Sequence, residues 1–292
     1  MVLTSFFCEV WAGHWPIIHY NGKRNTQEKG NRMLKWSKAN AKTERLNESC
    51  WAIAKHLDGG RKVYSLDLSS GYSCPFAKAC LSKAVVGEDG KRKIKDGPHN
   101  EFRCFSASQE AQYTGVYNLR KHNFDTLKQN QDDWPLMYLE LWKSMPADAG
   151  IVRIHVAGDF FNENYLRAWI QLAMANSDIL FYGYTKSLTY WDSLRNEIPE
   201  NLVLTASYGG RDDWMIEHFD FRSAKVVFSE AEAEELDLII DHDDSHAANP
   251  TWRDESFALL IHGTQPAGSD AASALKELKG KGTYSRKQRV TG

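Results

Sequence analysis

The chain has 292 residues, of which 42% are hydrophobic and 25% are charged, as in ordinary globular proteins. This length suits one large α/β domain or two smaller ones, and no apolar run approaches the roughly 18–20 residues of a membrane span. The net charge of −2 gives the whole molecule no electrostatic preference for nucleic acid, and the first residues lack the basic segment of a signal peptide. We therefore expect a soluble cytoplasmic protein with no membrane partner.

We predict that residues 1–60 form an N-terminal helical extension. It packs on a cluster-binding, barrel-like domain formed by residues 61–292. Within the extension, residues 31–56 have a largely helical pattern. Residues 23–45 carry eight lysines and arginines against two glutamates. A solvated helix face is the simpler explanation, and a nucleic-acid contact through Lys35, Lys38 and Lys42 is the alternative.

Beyond residue 60, short apolar segments alternate with helical patterns. The first predicted strand is 63–68, the cysteine segment 74–104 follows, and residues 106–145 predict helices that end at Pro146. The later predicted strands are 151–156, 179–184, 202–207, 224–228, 236–240 and 257–261. The later predicted helices are 163–175, 188–196, 213–218 and 270–278.

The predicted strands are apolar almost throughout, which is typical of a parallel sheet covered on both faces. In the second half of the chain, four of them begin about every 22–28 residues, the length of a βα unit. We therefore predict an α/β fold, specifically a complete or partial βα (TIM-like) barrel with mainly parallel strands. An open doubly wound sheet is the alternative.

Chemically capable side chains follow several of these strands. Because ligands bind beyond the carboxyl ends of parallel strands, we expect these side chains to converge. They are His155, Asp159, Lys186, Ser207 with Gly209 and Gly210, Ser229 and His262.

Each candidate has a functional interpretation and a plainer one. Asp159, His155 and His262 are candidate acid–base groups, but a strand histidine is often a core residue and Asp159 could cap the next helix. Lys186 could hold an anionic substrate group or could be solvated. The amides of the 207–210 turn could bind an anion or belong to a simple loop.

Three of the five cysteines are predicted metal ligands. Five residues separate Cys74 from Cys80, and 23 residues separate Cys80 from Cys104. Thiolates bind iron–sulfur clusters and zinc, and three of them can hold a [4Fe-4S] cluster with its fourth iron open. The alternatives are a structural zinc site completed by His56 or His99, and three unliganded thiols.

Two other sets of potential ligands have plainer interpretations. Cys8 and Cys50 are interpreted as small hydrophobic residues. The segment DHDDSH at residues 241–246 could bind a divalent metal, and a solvated loop is the simpler explanation.

The cysteine segment and several later motifs resemble the phage gene product 88 family. The motifs are Cys74-Pro75 with Cys80, RCFSA at 103–107, RIHVAGDFF at 153–161, YTKS at 184–187, SYGG at 207–210 and LIHGTQPAGS at 260–269. The resemblance covers roughly residues 60–290. It implies a phage context and therefore the cytoplasm of the host cell.

A more distant resemblance is to radical-SAM enzymes. Those enzymes have a cysteine motif ending in Cys-aromatic after the first barrel strand, and a later Gly-acid turn that holds S-adenosylmethionine. Cys104-Phe105 and Gly158-Asp159 occupy comparable places. The resemblance implies S-adenosylmethionine as a second cofactor, whereas the wide spacing between Cys80 and Cys104 departs from the compact cysteine loop of those enzymes.

The function predicted from the sequence is an enzyme that acts on a small molecule at the open iron of a cluster. The reaction is either adenosylmethionine cleavage or esterase-like hydrolysis with the iron as a Lewis acid. Two other classes stay open: a nucleic-acid-binding phage protein with a structural cluster, and a zinc-stabilised module without catalysis. The sequence lacks a P-loop, a Rossmann fingerprint, a GxSxG elbow and an HExxH motif.

Overall fold

The computed structural model describes residues 33–40 and 43–279, and its strands and helices alternate through most of this length. The strands are β1 (Ser37–Lys38), β2 (Lys62–Leu66), β3 (Ser82–Val86), β4 (Arg92–Asp96), β5 (Ala149–Ile154), β6 (Leu180–Thr185), β7 (Leu202–Ser207), β8 (Ser223–Val227), β9 (Ile239–Ile240) and β10 (Phe257–Leu260). The α-helices are α1 (Trp51–Ala54), α2 (Phe105–Gln112), α3 (Thr114–Lys128), α4 (Trp134–Ser144), α5 (Glu163–Met174), α6 (Leu188–Ser193), α7 (Trp214–His218), α8 (Glu230–Glu235), α9 (Ser245–Ala248) and α10 (Asp270–Glu277). Shorter 3-10 helices occupy Thr43–Glu48, Lys55–Gly60 and Arg195–Glu197.

Eight strands form one sheet in the order β1-β2-β5-β6-β7-β8-β10-β9. All neighbouring pairs are parallel except β1 with β2. The predicted α/β fold with mainly parallel strands is therefore confirmed. Within the described ranges β1 and β9 each pair on one side only, so closure into a barrel is not observed.

Both faces of the sheet are covered, as the apolar strands predicted. On one face, Val152 and Phe181 join a core with Trp169 of α5 and with residues of α3 and α4. On the other face, Ile151 packs in a second core with Ile53 of α1. Adjacent residues of β5 thus enter opposite cores, which follows from the two-residue period of a strand.

In the part that the structure describes, the helical prediction for residues 31–56 is wrong before Thr43 and confirmed over most of the residues after it. β1 pairs antiparallel with β2, and a 3-10 helix and a single α-helical turn follow. The N–H of Thr43 donates to Asn40 Oδ1 (3.1 Å), and the N–H of Asn40 donates to Thr43 Oγ1 (3.0 Å). These reciprocal bonds resemble a capping box, which marks the start of a helix. Residues 1–32, including Cys8 and most of the basic segment, lie outside the described residues.

The two-stranded antiparallel sheet of β3 and β4, between Cys80 and Cys104, was not predicted from the sequence. The later predicted strands and helices are found within a few residues of their expected positions, and 236–240 is reduced to the two residues of β9. In the part of the chain that is described, every helix is too short or too polar to cross a lipid bilayer.

Candidate functional site

The three predicted cysteine ligands lie beyond the carboxyl end of β2. Cys74 and Cys80 belong to the loop that follows this strand, and Cys104 directly precedes α2. All three cysteines are partly buried. Negative charge on Cys80 or Cys104 would raise the pKa of Cys74, so the three thiols lie within electrostatic range of one another.

The cysteine loop is held to the turn after β7 by backbone hydrogen bonds. The N–H groups of Lys78 and Ala79 donate to the carbonyl of Gly209 (3.0 and 2.9 Å), and the N–H of Arg211 donates to the carbonyl of Phe76 (2.9 Å). Gly209 has φ +92°, and a Cβ there would lie 2.9 Å from the Cβ of Ala79. Only glycine tolerates both the left-handed backbone and the close approach of Ala79.

Cys104 is fixed by contacts with two distant segments. The N–H of Phe102 donates to the carbonyl of Ala79 (3.2 Å), which connects the Cys80 and Cys104 segments. Gln265, after β10, accepts from the N–H of Arg103 (2.7 Å) and donates to its carbonyl (3.0 Å). The sequence analysis missed this role of Gln265, although it lies within a motif on which the family resemblance rests.

Asp159 lies after β5 with its carboxylate buried. It accepts hydrogen bonds from the N–H of Phe160 (2.7 Å), the hydroxyl of Thr185 (2.6 Å) and the N–H of Lys186 (2.8 Å). Burial raises the pKa of Asp159 to about 6, against the lowering effect of these bonds. The helix-cap interpretation is wrong, because Asn162 caps α5 by accepting from the N–H of Tyr165.

Lys186 is buried and joins two strand ends. Its Nζ donates to the hydroxyl of Ser207 (2.7 Å), to the Ser207 carbonyl (3.1 Å) and to the carbonyl of Tyr208. Burial raises the pKa of the Cys80 thiol to about 11, and the charge of Lys186 opposes that rise. The interpretation as a solvated lysine is therefore wrong.

The glycine turn after β7 binds a carboxylate from its own chain. The N–H groups of Gly209 and Gly210 donate to the two carboxylate oxygens of Asp213, each at 2.8 Å. The anion expected at this turn is thus Asp213, which the sequence analysis did not consider. An aspartate three residues after a Gly-Gly pair was the signal available for it.

His155 lies on the face of the sheet that α5 covers, and the core interpretation fits it best. The residue is 4% exposed and packs among Phe160, Tyr165 and Trp169, and its Nε2 is 3.0 Å from the hydroxyl of Tyr165. Burial lowers the pKa of His155 to about 3, so the imidazole is neutral at physiological pH. These contacts leave it no evident part in acid–base chemistry at the cysteines.

His262 lies beside the cysteines. Its ring centroid is 4.7 Å from that of Phe105, the residue after Cys104, and its Nδ1 is 3.1 Å from the carbonyl of Leu260. Ser229 instead caps α8, with its hydroxyl accepting from the N–H of Glu232 (3.1 Å). The structure therefore brings His262 to the site and gives Ser229 a structural role.

The thiol of Cys74 is protonated unless a cation binds beside it. Burial raises the pKa of Cys74 well above its usual value, and the carboxylate of Asp159 adds to this rise. Thiolates in such surroundings need a nearby positive charge, which a bound metal centre supplies.

The residues suggested as a fourth zinc ligand lie away from the three cysteines or at the surface. Among residues 33–40 and 43–279, no group of three His, Cys, Asp or Glu side chains is placed to hold a metal ion. His56 lies near the amino end of β5, with its Nδ1 3.0 Å from the carbonyl of Asp178, and His99 is exposed.

Two plainer interpretations are also wrong. The 241–246 segment is not a wholly solvated loop: His242 is exposed, but Asp244 is fully buried, pairs with Arg153 (2.6 Å) and accepts from the hydroxyl of Tyr182 (3.1 Å). Cys50 is exposed instead of packing as a hydrophobic residue, and its Sγ accepts from Asn249 (3.5 Å).

Comparisons with known proteins find one matching family model and related phage proteins. A family model described as Gene product 88 matches residues 24–279. The "Gene 88 protein" of Mycobacterium phage L5 and that of Mycobacterium phage D29 are each 25% identical to this chain over 146 residues, covering 48% of this chain and 53% of the relative. The chain thus spans about half the length of the curated relatives it matches. No solved structure matches the chain.

Proposed function

The chain belongs to the phage gene product 88 family, and we propose that it binds a [4Fe-4S] cluster through Cys74, Cys80 and Cys104. The observation that supports this is the position of three partly buried thiols, from two separate segments, beyond the carboxyl end of a parallel strand. Ligands and cofactors of parallel α/β proteins bind at this end. Three thiolates would leave one iron of the cluster for a substrate or second cofactor.

The scaffold that we propose is a partial βα barrel. Six strands lie side by side in the same order in the sheet as in the chain, so the strand order never reverses. They are β2, β5, β6, β7, β8 and β10. A doubly wound sheet reverses at its switch point, whereas a barrel does not. This order supports a barrel-like winding with the cysteines at its mouth.

We propose an enzyme that acts on a small molecule, and we favour hydrolysis of an ester over cleavage of S-adenosylmethionine. When bound, the cluster would supply an open iron that can act as a Lewis acid or as an electron donor. Asp159 already accepts three hydrogen bonds from its own chain, which leaves it little capacity to hold the amino group of S-adenosylmethionine. With a pKa of about 6, Asp159 can hold or release a proton near neutral pH, and His262 is the second candidate for that role.

The first experiment is purification without oxygen, followed by a visible spectrum and analysis for iron and acid-labile sulfide. We expect brown protein with about four irons and four sulfides per chain. Cys74→Ala, Cys80→Ala and Cys104→Ala should each lose the colour, and Cys50→Ala, at an exposed cysteine, should keep it. Colourless protein with stoichiometric zinc would instead support a zinc-stabilised module.

A second experiment tests the reaction on the same preparation. The loaded protein is assayed for hydrolysis of aryl esters and for reductive cleavage of S-adenosylmethionine. We expect Asp159→Asn to retain its iron content and to lose ester hydrolysis, because the amide cannot take up the proton. Full hydrolysis by this variant would exclude Asp159 as the proton carrier, and adenosylmethionine cleavage without hydrolysis would reverse our preference between the reactions.

A further inference from the structure

The β3–β4 hairpin carries an exposed basic face beside the cysteine loop. Lys83 and Lys95 are direct cross-strand partners in its register. Like charges placed opposite each other destabilise a pair of strands, so this arrangement costs folding free energy. The aspartates of the hairpin do not offset it, because Asp89 pairs with Lys93 and Asp96 pairs with Arg103.

An aromatic ring lies next to this face. The Nζ of Lys83 is 4.8 Å from the ring centroid of Tyr72, which is 46% exposed. Arg92, which is opposite Val86 in the register, lies on the other face of the hairpin and donates to the carbonyl of Glu110 (2.9 Å) and to the hydroxyl of Thr114 (2.7 Å). The basic face is therefore formed by Lys83 and Lys95, with Tyr72 beside it.

The position of Tyr72 is set by the chain around it. A Cβ on Gly71, which has φ +69°, would lie 2.6 Å from the carbonyl oxygen of Ser82. The loop bearing Tyr72 therefore lies directly against β3, and Cys74 follows two residues later. The basic face, Tyr72 and the cysteine loop are thus neighbours.

We propose that this hairpin surface binds single-stranded nucleic acid. Its members are Tyr72, Lys83 and Lys95. Lysines bind the phosphates, and an exposed tyrosine ring stacks on unpaired bases, the combination found in single-strand binding proteins. A duplex offers the same phosphates but keeps its bases stacked inside, so the ring favours the single strand. This binding site is independent of the proposed cluster chemistry.

The test is fluorescence anisotropy of the full chain with a labelled oligothymidylate and with a duplex of equal length, over a range of salt concentrations. In the double variant Lys83→Gln with Lys95→Gln we expect the salt slope of log K to fall by about 1.4, since each single-strand phosphate contact contributes about 0.7. The matched control, Lys128→Gln with Lys276→Gln, changes two exposed lysines on α3 and α10 and should leave the slope unchanged.

The role of the ring is tested at Tyr72. Loss of one stacked base costs about 1–3 kcal/mol, so Tyr72→Ala should weaken oligothymidylate binding by roughly 5- to 150-fold. Tyr72→Phe, which keeps the ring, should bind within about twofold of the unmodified protein.

Several results would overturn the proposal. They are absence of oligothymidylate binding at low salt, unchanged binding in the Lys83/Lys95 variant, and a preference for the duplex that Tyr72→Ala does not affect. Loss of binding in Lys35→Gln with Lys38→Gln and Lys42→Gln, with full binding in the hairpin variant, would assign the contact to the basic N-terminal segment instead.

Discussion

The carboxylate of Asp159 is both a structural connection and a group with a shifted pKa. Its three hydrogen bonds connect the end of β5 to the end of β6, and its burial raises its pKa to about 6. An acid whose folded-state pKa lies above the value of about 3.9 in an unfolded chain binds its proton more tightly when folded. Ionisation of Asp159 therefore lowers the stability as the pH rises from about 4 to about 6.

We predict that Asp159→Asn removes this part of the pH dependence. A displacement from 3.8 to about 6 corresponds to about 3 kcal/mol, since one pKa unit is 1.36 kcal/mol. The free energy of unfolding, measured by denaturant titration of both proteins at pH 4 and pH 7, should fall more steeply in the unmodified protein by about that amount. Parallel pH profiles for the two proteins would show that Asp159 titrates normally.

At the scale of the elements, close backbone contacts at strand ends bring the loops of the site together. Gly158, after β5, has φ +95°, and a Cβ there would lie 2.6 Å from the hydroxyl oxygen of Ser73 and 2.7 Å from the Cβ of Leu68. The first residues of the cysteine loop therefore rest on the end of β5. Glycine makes this approach possible through both its backbone freedom and its lack of a side chain.

We predict that Gly158→Ala destabilises the protein by roughly 2–4 kcal/mol, from the left-handed backbone and the steric overlap together. The iron content after anaerobic reconstitution should fall as well, because Cys74 directly follows Ser73. Gly115→Ala is the matched control, since that position in α3 has open space around it and should lose no stability. Denaturant titration and iron analysis of both variants give the comparison, and equal stability of the two variants would contradict the prediction.

At the scale of the whole molecule, a buried ion network connects the sheet to the helix that begins after Cys104. Arg120 of α3 donates to the carbonyl of Ser106 (3.1 Å), to Glu110 (3.3 Å) and to Gln109 (2.9 Å), and lies 4.0 Å from Asp67. Arg120 and both carboxylates are almost fully buried. Removal of one member of such a network leaves the others charged without a partner.

We predict that Arg120→Leu costs about 3–5 kcal/mol of unfolding free energy, because Glu110 and Asp67 lose their cation in a buried position. The matched control is Lys121→Leu, the next residue of the same helix, whose exposed pair with Asp125 contributes less than about 1 kcal/mol. Denaturant titration of both variants compares them directly. A loss of under 1 kcal/mol in Arg120→Leu would show that water reaches the network.

The sequence by itself determined the α/β fold with a mainly parallel sheet and the strand ends at which the candidate side chains lie. A strand covered on both faces must be apolar along its length, so β5, β6, β7 and β10 were visible without any tertiary information. Their carboxyl ends then indicated where polar side chains would gather, and Asp159, Lys186 and His262 do lie there. The β4 strand of the hairpin, with the sequence RKIKD, lacks that apolar signal, and the hairpin was missed for that reason.

Only the tertiary structure decided the partner of each polar group. Lys186 binds Ser207, the glycine amides bind Asp213, and His155 turns into an aromatic core. The physical reason is that a buried donor or acceptor must be satisfied by whatever group the fold brings within about 3 Å, and that group usually comes from a distant segment. Sequence position shows which strand end a side chain follows, whereas packing decides what the side chain meets.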